Sequence, residues 1–265
     1  MVEFVTQHEP LLRLSAFLAT LIAMACWEGA APRRPRMLSR VVRWPTNIGI
    51  VGINTALVRF LFPAAAVGGA LWASKAQFGL FHWVTLPHWA AIALSVIFLD
   101  LLIYGQHVVF HKAPLLWRLH RVHHIDRDVD FTTGLRFHPV EIILSAGIKF
   151  AAVITLGAPA AAVILFEVIL NSSALFNHGN VQLKSPLDGI LRTIIVTPDM
   201  HRVHHSVRPV ETNSNYGFAL SIWDRLFGTY LQSPARGHHA MTLGLPTFRT
   251  PGEAKLMSLL LNPLR

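Results

Sequence analysis

Apolar residues in this chain come in long runs separated by short polar stretches. "LLRLSAFLATLIAMACWEGA" (11–30), "IGIVGINTALVRFLFPAAAVGGALWAS" (48–74) and "HWAAIALSVIFLDLLIYGQHVVF" (88–110) each approach or exceed the roughly 20 residues an α-helix needs to cross bilayer hydrocarbon. A fourth apolar region runs from Val140 to Leu175, and Gly157-Ala158-Pro159 interrupts it near the middle. That interruption reads as the turn of a helical hairpin over 140–176. The pattern predicts an all-α integral membrane helical bundle of three spans and a hairpin. Two polar stretches, 107–139 and 177–265, remain, and a hairpin that returns to its starting side joins them into one cap. Within the cap, "NSNYGFALSIWDRLFGTY" (213–230) predicts a turn followed by a short helix. "GEAKLMSLLLNPLR" (252–265) predicts an amphipathic helix lying on the domain or on the bilayer surface.

Composition agrees with a membrane protein: 52% of residues are hydrophobic and 14% charged, against about a quarter charged in soluble domains. The first run has no basic flank before it and no small-residue cleavage site after it, so it is expected to persist as a helix and not to be removed as a signal peptide. A net charge of +9 invites a nucleic-acid partner, but no basic helix with interleaved aromatics is present, and none is expected. The charge is placed as in a membrane protein. Arg33, Arg34, Arg36, Arg40 and Arg43 follow the first run, Lys112, Arg118, Arg121, Arg127 and Arg136 follow the third, and only Lys75 lies between the second and third. The positive-inside rule then puts the 31–47 loop and everything after about residue 107 in the cytoplasm. Cys26 is the single cysteine, which excludes a disulfide or a thiolate metal site within one chain.

Ten of the fifteen histidines fall between residues 107 and 205. Nine of them form a pattern: His107 and His111; His120, His123 and His124; His178; and His201, His204 and His205. The pentapeptide HRVHH occurs at both 120–124 and 201–205. On a helix, positions i, i+3 and i+4 share a face, so each cluster is a clamp of two or three imidazoles. One metal ion takes three or four protein ligands, so nine suit two ions better than one. His8, His82, His88, His238 and His239 show no such spacing and read as ordinary. In the third run Asp100, Tyr104, His107 and His111 share one stripe. An aspartate inside a span is costly, so Asp100 is expected either to accept a proton from a ligand imidazole or to pair with Arg59. Lys149 and Glu167 are equidistant from the hairpin turn at Ala158, which predicts an ion pair between its arms. Imidazole suits several transition metals. The residues after His107, His111 and His120 are Val108, Lys112 and Arg121, so the HExxH of zinc proteases is absent. Two redox-active irons beside a lipid-filled bundle suit oxygen chemistry.

The series "DLLIYGQHVVFH", "WRLHRVHH", "GLRFHPVE", "FNHGN", "TPDMHRVHH" and "NYGFALSIWDRLFGTY" resembles the fatty acid hydroxylase/sterol desaturase superfamily of membrane-bound histidine-rich di-iron oxygenases, over roughly residues 95–232. The resemblance implies N-terminal transmembrane helices over 1–90, a catalytic domain over 91–235 and an amphipathic tail over 236–265. It implies two Fe ions on the cytosolic face, with Zn possible in purified protein because zinc outcompetes iron at such sites. It also implies O2 and two electrons spent on hydroxylating or desaturating an unactivated C–H bond of a lipid. All nine patterned histidines match its boxes. Some relatives carry a further histidine where this chain has Ala174, which leaves His138 as the candidate for an extra ligand. Neutral ligands leave metal charge uncompensated, so Glu141, Asp199, Glu211 and Asp224 join Asp100 and Tyr104 as candidates to support the ligands, each with a helix-cap or ion-pair role as the alternative. Asn213, Asn215 and Tyr216 are expected to shape the loop that closes the site. No GxGxxG fingerprint or cytochrome b5 domain is present, so the electron donor is expected to be a separate protein of cytochrome b5, ferredoxin or reductase type. A zinc-dependent membrane hydrolase and a catalytically inactive lipid-binding membrane protein remain the alternatives. The lipid, and hydroxylation against desaturation, stay open.

Overall fold

The computed structural model describes residues 7–63 and 65–265. Residues 1–6, on which the expectation of an uncleaved first segment partly rests, and Ala64, within the second apolar run, lie outside the described residues. The elements that build the bundle are α1 (Glu9–Ala30), α2 (Arg40–Leu61), α3 (Ala65–Ala76), α4 (His88–Lys112), α6 (Pro139–Leu156) and α7 (Ala160–Asn177). α5 (Pro114–His124) opens the cap. The cap continues with α8 (Ser185–Leu191), α9 (Pro198–His204), α10 (Ile222–Leu226) and α11 (Leu256–Leu261). Only isolated bridges, such as Ile195 with Leu220, lie outside helices and loops among the described residues. The all-α architecture matches the apolar pattern.

Five apolar segments are long enough to cross a membrane: α1, the α2–α3 stretch, α4, α6 and α7. The protein is a multi-pass membrane protein. Large apolar side chains such as Leu14, Ile22, Ile97 and Phe98 point outward from it and are 43–58% exposed, as hydrocarbon contact requires. The second run departs from the single helix expected over 48–74. α2 starts earlier, at Arg40, where the Ser39 hydroxyl accepts from the Val41 amide (3.3 Å), and it stops before Pro63. Proline disfavours helical backbone in the residue before it, here Phe62, and the helix resumes as α3. The two pieces still follow one path along α6. Asn54 donates to the Phe137 carbonyl (2.9 Å), Phe62 lies 6.4 Å from Phe150, and Gly69 abuts Phe150 and Ile154. At the far end Gly79 and Gly157, both with positive φ, touch backbone to backbone. A Cβ on Gly79 would lie 2.3 Å from the Gly157 nitrogen, so the hairpin turn closes there only without side chains.

Lys149 and Glu167 meet as expected, 3.4 Å apart across the hairpin. Arg13 of α1 approaches the other oxygen of Glu167 at 2.8 Å, a third partner that symmetry about the turn does not reveal. α1 runs parallel to α7: Thr20 bonds Ser172 (3.2 Å), and at its end Glu28 accepts from the Phe131 and Asn180 amides (2.8 and 2.7 Å). The arginines of the 31–47 loop do more than bias orientation. Arg43 of α2 is clamped between Asp126 (2.7 Å) and Asp130 (2.5 Å), all three fully buried, and Arg33 reaches Asp199 (3.3 Å). The two expected short helices form, as α10 and as α11 with its flanking 3-10 turns. Leu259 of α11 is buried against Ile50 and Val122, and Arg121 donates to Asn262 (2.8 Å), so the tail packs on the domain.

Candidate metal centre

Four helices deliver the nine histidines to one place. α4 brings His107 and His111, α5 brings His120, His123 and His124, α7 ends on His178, and α9 carries His201 and His204 and ends on His205. They divide into two groups, in each of which the ligand nitrogens lie within 4.8 Å of one another: His107, His111, His120, His124 and His204; and His123, His178, His201 and His205. This corrects the reading of each HRVHH as a clamp on one ion. Positions i and i+4 are about 40° apart on a helix, whereas i+3 lies about 60° to the other side of i. His120 and His124 therefore serve the first group while His123 turns to the second; in the other copy His201 and His205 serve the second and His204 the first. Each pentapeptide straddles both groups, with the roles exchanged.

The hydrogen bonds fix which ring nitrogen carries a proton. Nδ1 donates to a carbonyl in His107 (Tyr216, 2.7 Å), His123 (Arg136, 3.2 Å), His178 (Ala174, 2.7 Å) and His204 (Ser214, 2.8 Å), and to the Glu141 carboxylate in His120 (2.7 Å). These acceptors have no proton to give, so in the neutral, metal-binding form of each ring Nε2 is left with a bare lone pair. Yet the Nε2 atoms of His107 and His120 lie 3.1 Å apart, and those of His178 and His123 lie 3.0 Å apart. Two lone pairs at that distance repel unless a cation is shared between them. The remaining nitrogens agree: His204 Nε2, His201 Nδ1 and both nitrogens of His205 are buried without a hydrogen-bond partner. A buried polar atom without a partner is costly, and metal ligation removes that cost. Burial first, and neighbouring imidazoles second, push His123, His124, His201, His204 and His205 well below the usual histidine range. Burial brings His178 down to about 4. These six are thus neutral at physiological pH, the form that binds metals. The donor set fits two ions held by imidazole.

Of the residues expected to support the ligands, Glu141 does touch one, through His120. Asp100 does not. It accepts from the Ala219 and Leu220 amides (3.3 and 3.1 Å) and the Trp223 indole (2.8 Å), because the 219–223 segment folds over α4 and brings three donors nearer than any imidazole. Nor does Arg59 share that carboxylate. Tyr104 bonds Thr229 (2.8 Å) and sets its ring edge-on against Tyr216. Asp224 accepts from the Tyr216 and Gly217 amides (2.7 and 2.8 Å), so it shapes the turn whose carbonyl holds His107. Asp199 pairs with Arg202, Arg33 and His238, and Glu211 with Ser206 and the Ala235 amide; both take the ion-pair and loop roles and contact none of the nine. His138 joins neither group. Its Nδ1 caps α6 by accepting from the Val140 amide (3.2 Å) and its Nε2 donates to the Leu260 carbonyl (3.1 Å), which occupies both nitrogens away from the groups. In the closing loop Asn213 accepts from His111 (3.3 Å), Tyr216 lies against His107, His111 and His204, and Asn215, at φ 52°, pins Leu231 by bonds in both directions.

Sequence reasoning missed the support behind the second group. Arg136, whose carbonyl accepts from His123 Nδ1, also donates through its guanidinium to the Val122 carbonyl (3.1 Å) and faces Asp126 (3.6 Å), and Asp126 holds Arg43 and Thr133. Arg43 and Arg136 keep the Asp126 carboxyl well below the usual carboxylate range against the effect of burial. The acidic run Asp126, Asp128, Asp130 directly after the first HRVHH, set against the arginine-rich loop, is the signal that could have pointed to it.

The fatty acid hydroxylase family profile matches residues 92–229. Ornithine lipid hydroxylase OlsE of Rhizobium tropici is 33% identical over 144 residues, 54% of this chain and 42% of that protein. Alkylglycerol monooxygenase of Danio rerio is 32% identical over 171 residues, 63% of this chain and 37% of that protein. The Homo sapiens alkylglycerol monooxygenase is 28% identical over 179 residues, 67% of this chain and 38% of that protein. The chain spans about two fifths of the length of these curated relatives. No solved structure gives a significant match.

Proposed function

This chain belongs to the fatty acid hydroxylase family, and on that premise we propose that it is an O2-dependent lipid hydroxylase of the membrane with two irons at the cap. The first iron is assigned to His107, His111, His120, His124 and His204, the second to His123, His178, His201 and His205. When bound, the pair supplies the two-electron activation of O2 that an unactivated C–H bond demands. The balance is one lipid C–H, one O2, two electrons and two protons giving one C–OH and one water. The electrons come from a separate donor protein of cytochrome b5, ferredoxin or reductase type. The cap is assigned to the cytoplasmic side, a reading the arginine distribution supports. Residues 91–235 are assigned as the catalytic unit, with 1–90 as its transmembrane support and 236–265 as its amphipathic tail.

The chain's own residues prepare the site for that chemistry. Glu141 orients the His120 ring and makes it a stronger donor, and the Tyr216, Arg136, Ala174 and Ser214 carbonyls do the same for four others. Burial of the second group excludes water from it. The named relatives act on an ornithine lipid and on alkylglycerols, which supports a polar membrane lipid as the substrate class. The facing Nε2 lone pairs are the observation that carries the metal assignment. Hydrolysis is the weaker reading, since no HExxH sets a general-base glutamate beside a ligand histidine. Lipid profiling of cells with and without the gene tests the proposal. A lipid gaining one oxygen with wild type and not with His204→Ala is expected; full product with His204→Ala would reject it.

A further inference from the structure

One face of the cap is apolar and uncovered. Leu187, Ile190, Ile194, Ile222, Leu226 and Phe227 are 48–66% exposed. They come from two segments held side by side, because Ser221 donates to the Ile194 carbonyl (3.0 Å) and Val196 to the Ala219 carbonyl (2.9 Å). A contiguous patch of this kind on a cap otherwise rich in charge calls for an occupant.

Depth identifies the occupant. Asp100 is the middle residue of the 25-residue α4, and it holds this segment through the Ala219, Leu220 and Trp223 donors. At about 1.5 Å per residue, the midpoint of such a helix lies roughly 18 Å from either end. With hydrocarbon about 30 Å thick, that point stays inside the apolar layer however the helix is shifted along it. A second register agrees. Asn177, the last residue of α7, donates to the Phe218 carbonyl (2.8 Å), so the segment begins level with the end of a span. The rim carries exposed cations suited to a headgroup layer: Lys184 and Arg225, the latter lying over the Tyr230 ring at 4.1 Å.

The patch also abuts the imidazoles through two rings. Phe227 stacks on Tyr104 (5.4 Å), Tyr104 meets Tyr216 edge-on (6.4 Å), and Tyr216 lies 5.1–5.5 Å from His107, His111 and His204. We propose that this face is sunk among the acyl chains of the leaflet on the cap side, and that a lipid reaches the imidazole groups from it, past Tyr104 and Tyr216. The second half of the statement rests on the function proposed above; the first half does not.

Spin labels test the embedding without any metal. In a Cys26→Ser background, nitroxides at Leu226→Cys and Ile190→Cys are compared with Ile97→Cys on the outward face of α4 and Thr247→Cys in an exposed loop, all in phosphatidylcholine vesicles. Labels at 226 and 190 should match 97, with collisions with O2 favoured over a nickel chelate. A match to 247 overturns the proposal. So does spin–spin broadening at 226 that disappears on dilution with unlabelled chain, since a second copy would then cover the face. The port is tested with a phosphatidylcholine bearing a diazirine in its acyl chain. Crosslinks on Tyr104 or Tyr216, both buried behind Phe227, are expected; crosslinks confined to outward faces of the spans overturn the port. If those crosslinks form and no cellular lipid gains oxygen, the catalytic reading fails and the embedding stands.

Discussion

The five-imidazole group has an open side, where His111 is only partly buried and bonds the exposed Asn213, whereas every member of the four-imidazole group is sealed from solvent. Their supports differ in the same sense. Side chains, Glu141 and Asn213, hold two rings of the first group and the Tyr216 and Ser214 carbonyls two more, whereas both held rings of the second rest on backbone carbonyls, of Arg136 and Ala174. Behind the second group stands a buried ionic frame of Arg43, Asp126, Asp130 and Arg136, and the Phe137 ring lies flat on His123 at 4.5 Å. A carbonyl moves only with its backbone, so the sealed group is fixed by the fold. The open group rests in part on side chains that can be replaced one at a time. On the proposed function it is the one a lipid meets.

The comparison is broken most severely by removing a ligand from each side. His204→Ala should strip the first group and leave metal in the second, and His205→Ala should do the reverse. Both should cut hydroxylated product by more than about 100-fold, beyond the loss typical of residues that only support a ligand. Metal content and product assays on the two variants check this, and loss of all metal in either variant would merge the groups into one site. Next in size is Arg43→Met, which leaves Asp126 and Asp130 as buried carboxylates without their guanidinium. A loss of about 3–5 kcal/mol in stability is expected, read from denaturation in detergent. Spectroscopic change in the metal centre should accompany it on the second group only.

Glu141→Gln sharpens the contrast from the other side. It keeps the shape and loses the charge behind His120, so metal affinity of the first group should fall about 10–100-fold while the second is unchanged. The smallest effect concerns pH. Burial holds the imidazoles of the sealed group below the usual range, with His178 at about 4, so they stay neutral as pH falls past 6.5. Metal uptake by the apo protein into the second group should change little between pH 8 and 6. The unfolded chain does take up protons there, so stability of the apo protein should decline as pH falls through about 6.5. A steep loss of uptake in that interval would show that those rings are not protected.

Much of this was legible in the letters, and the reasons are local. Long apolar runs announce spans, and the arithmetic about Ala158 placed Lys149 against Glu167 because helical rise is constant. Eight of the nine histidines could be chosen because their spacing is helical, and the isolated His178 because it matches the family pattern. Their partition was not legible: it depends on which way each of four helices is rotated, and no repeat in one helix states its neighbour's rotation. Asp100 shows the same limit. Its stripe with His107 was right, but its partners come from residues 219–223, more than a hundred positions away. The clamp on Arg43 was hidden likewise, since a charge that reads as topogenic in one loop finds its carboxylates across the chain.

The proposed centre consists of two metal sites built from nine imidazoles. Its most direct test is the metal content of protein expressed with iron and purified anaerobically, counting iron and zinc together against the chain. Two metal ions per chain in the wild type, falling to one in both His204→Ala and His205→Ala, is the predicted result. A single ion per chain in wild type, displaced completely by either substitution, would contradict it.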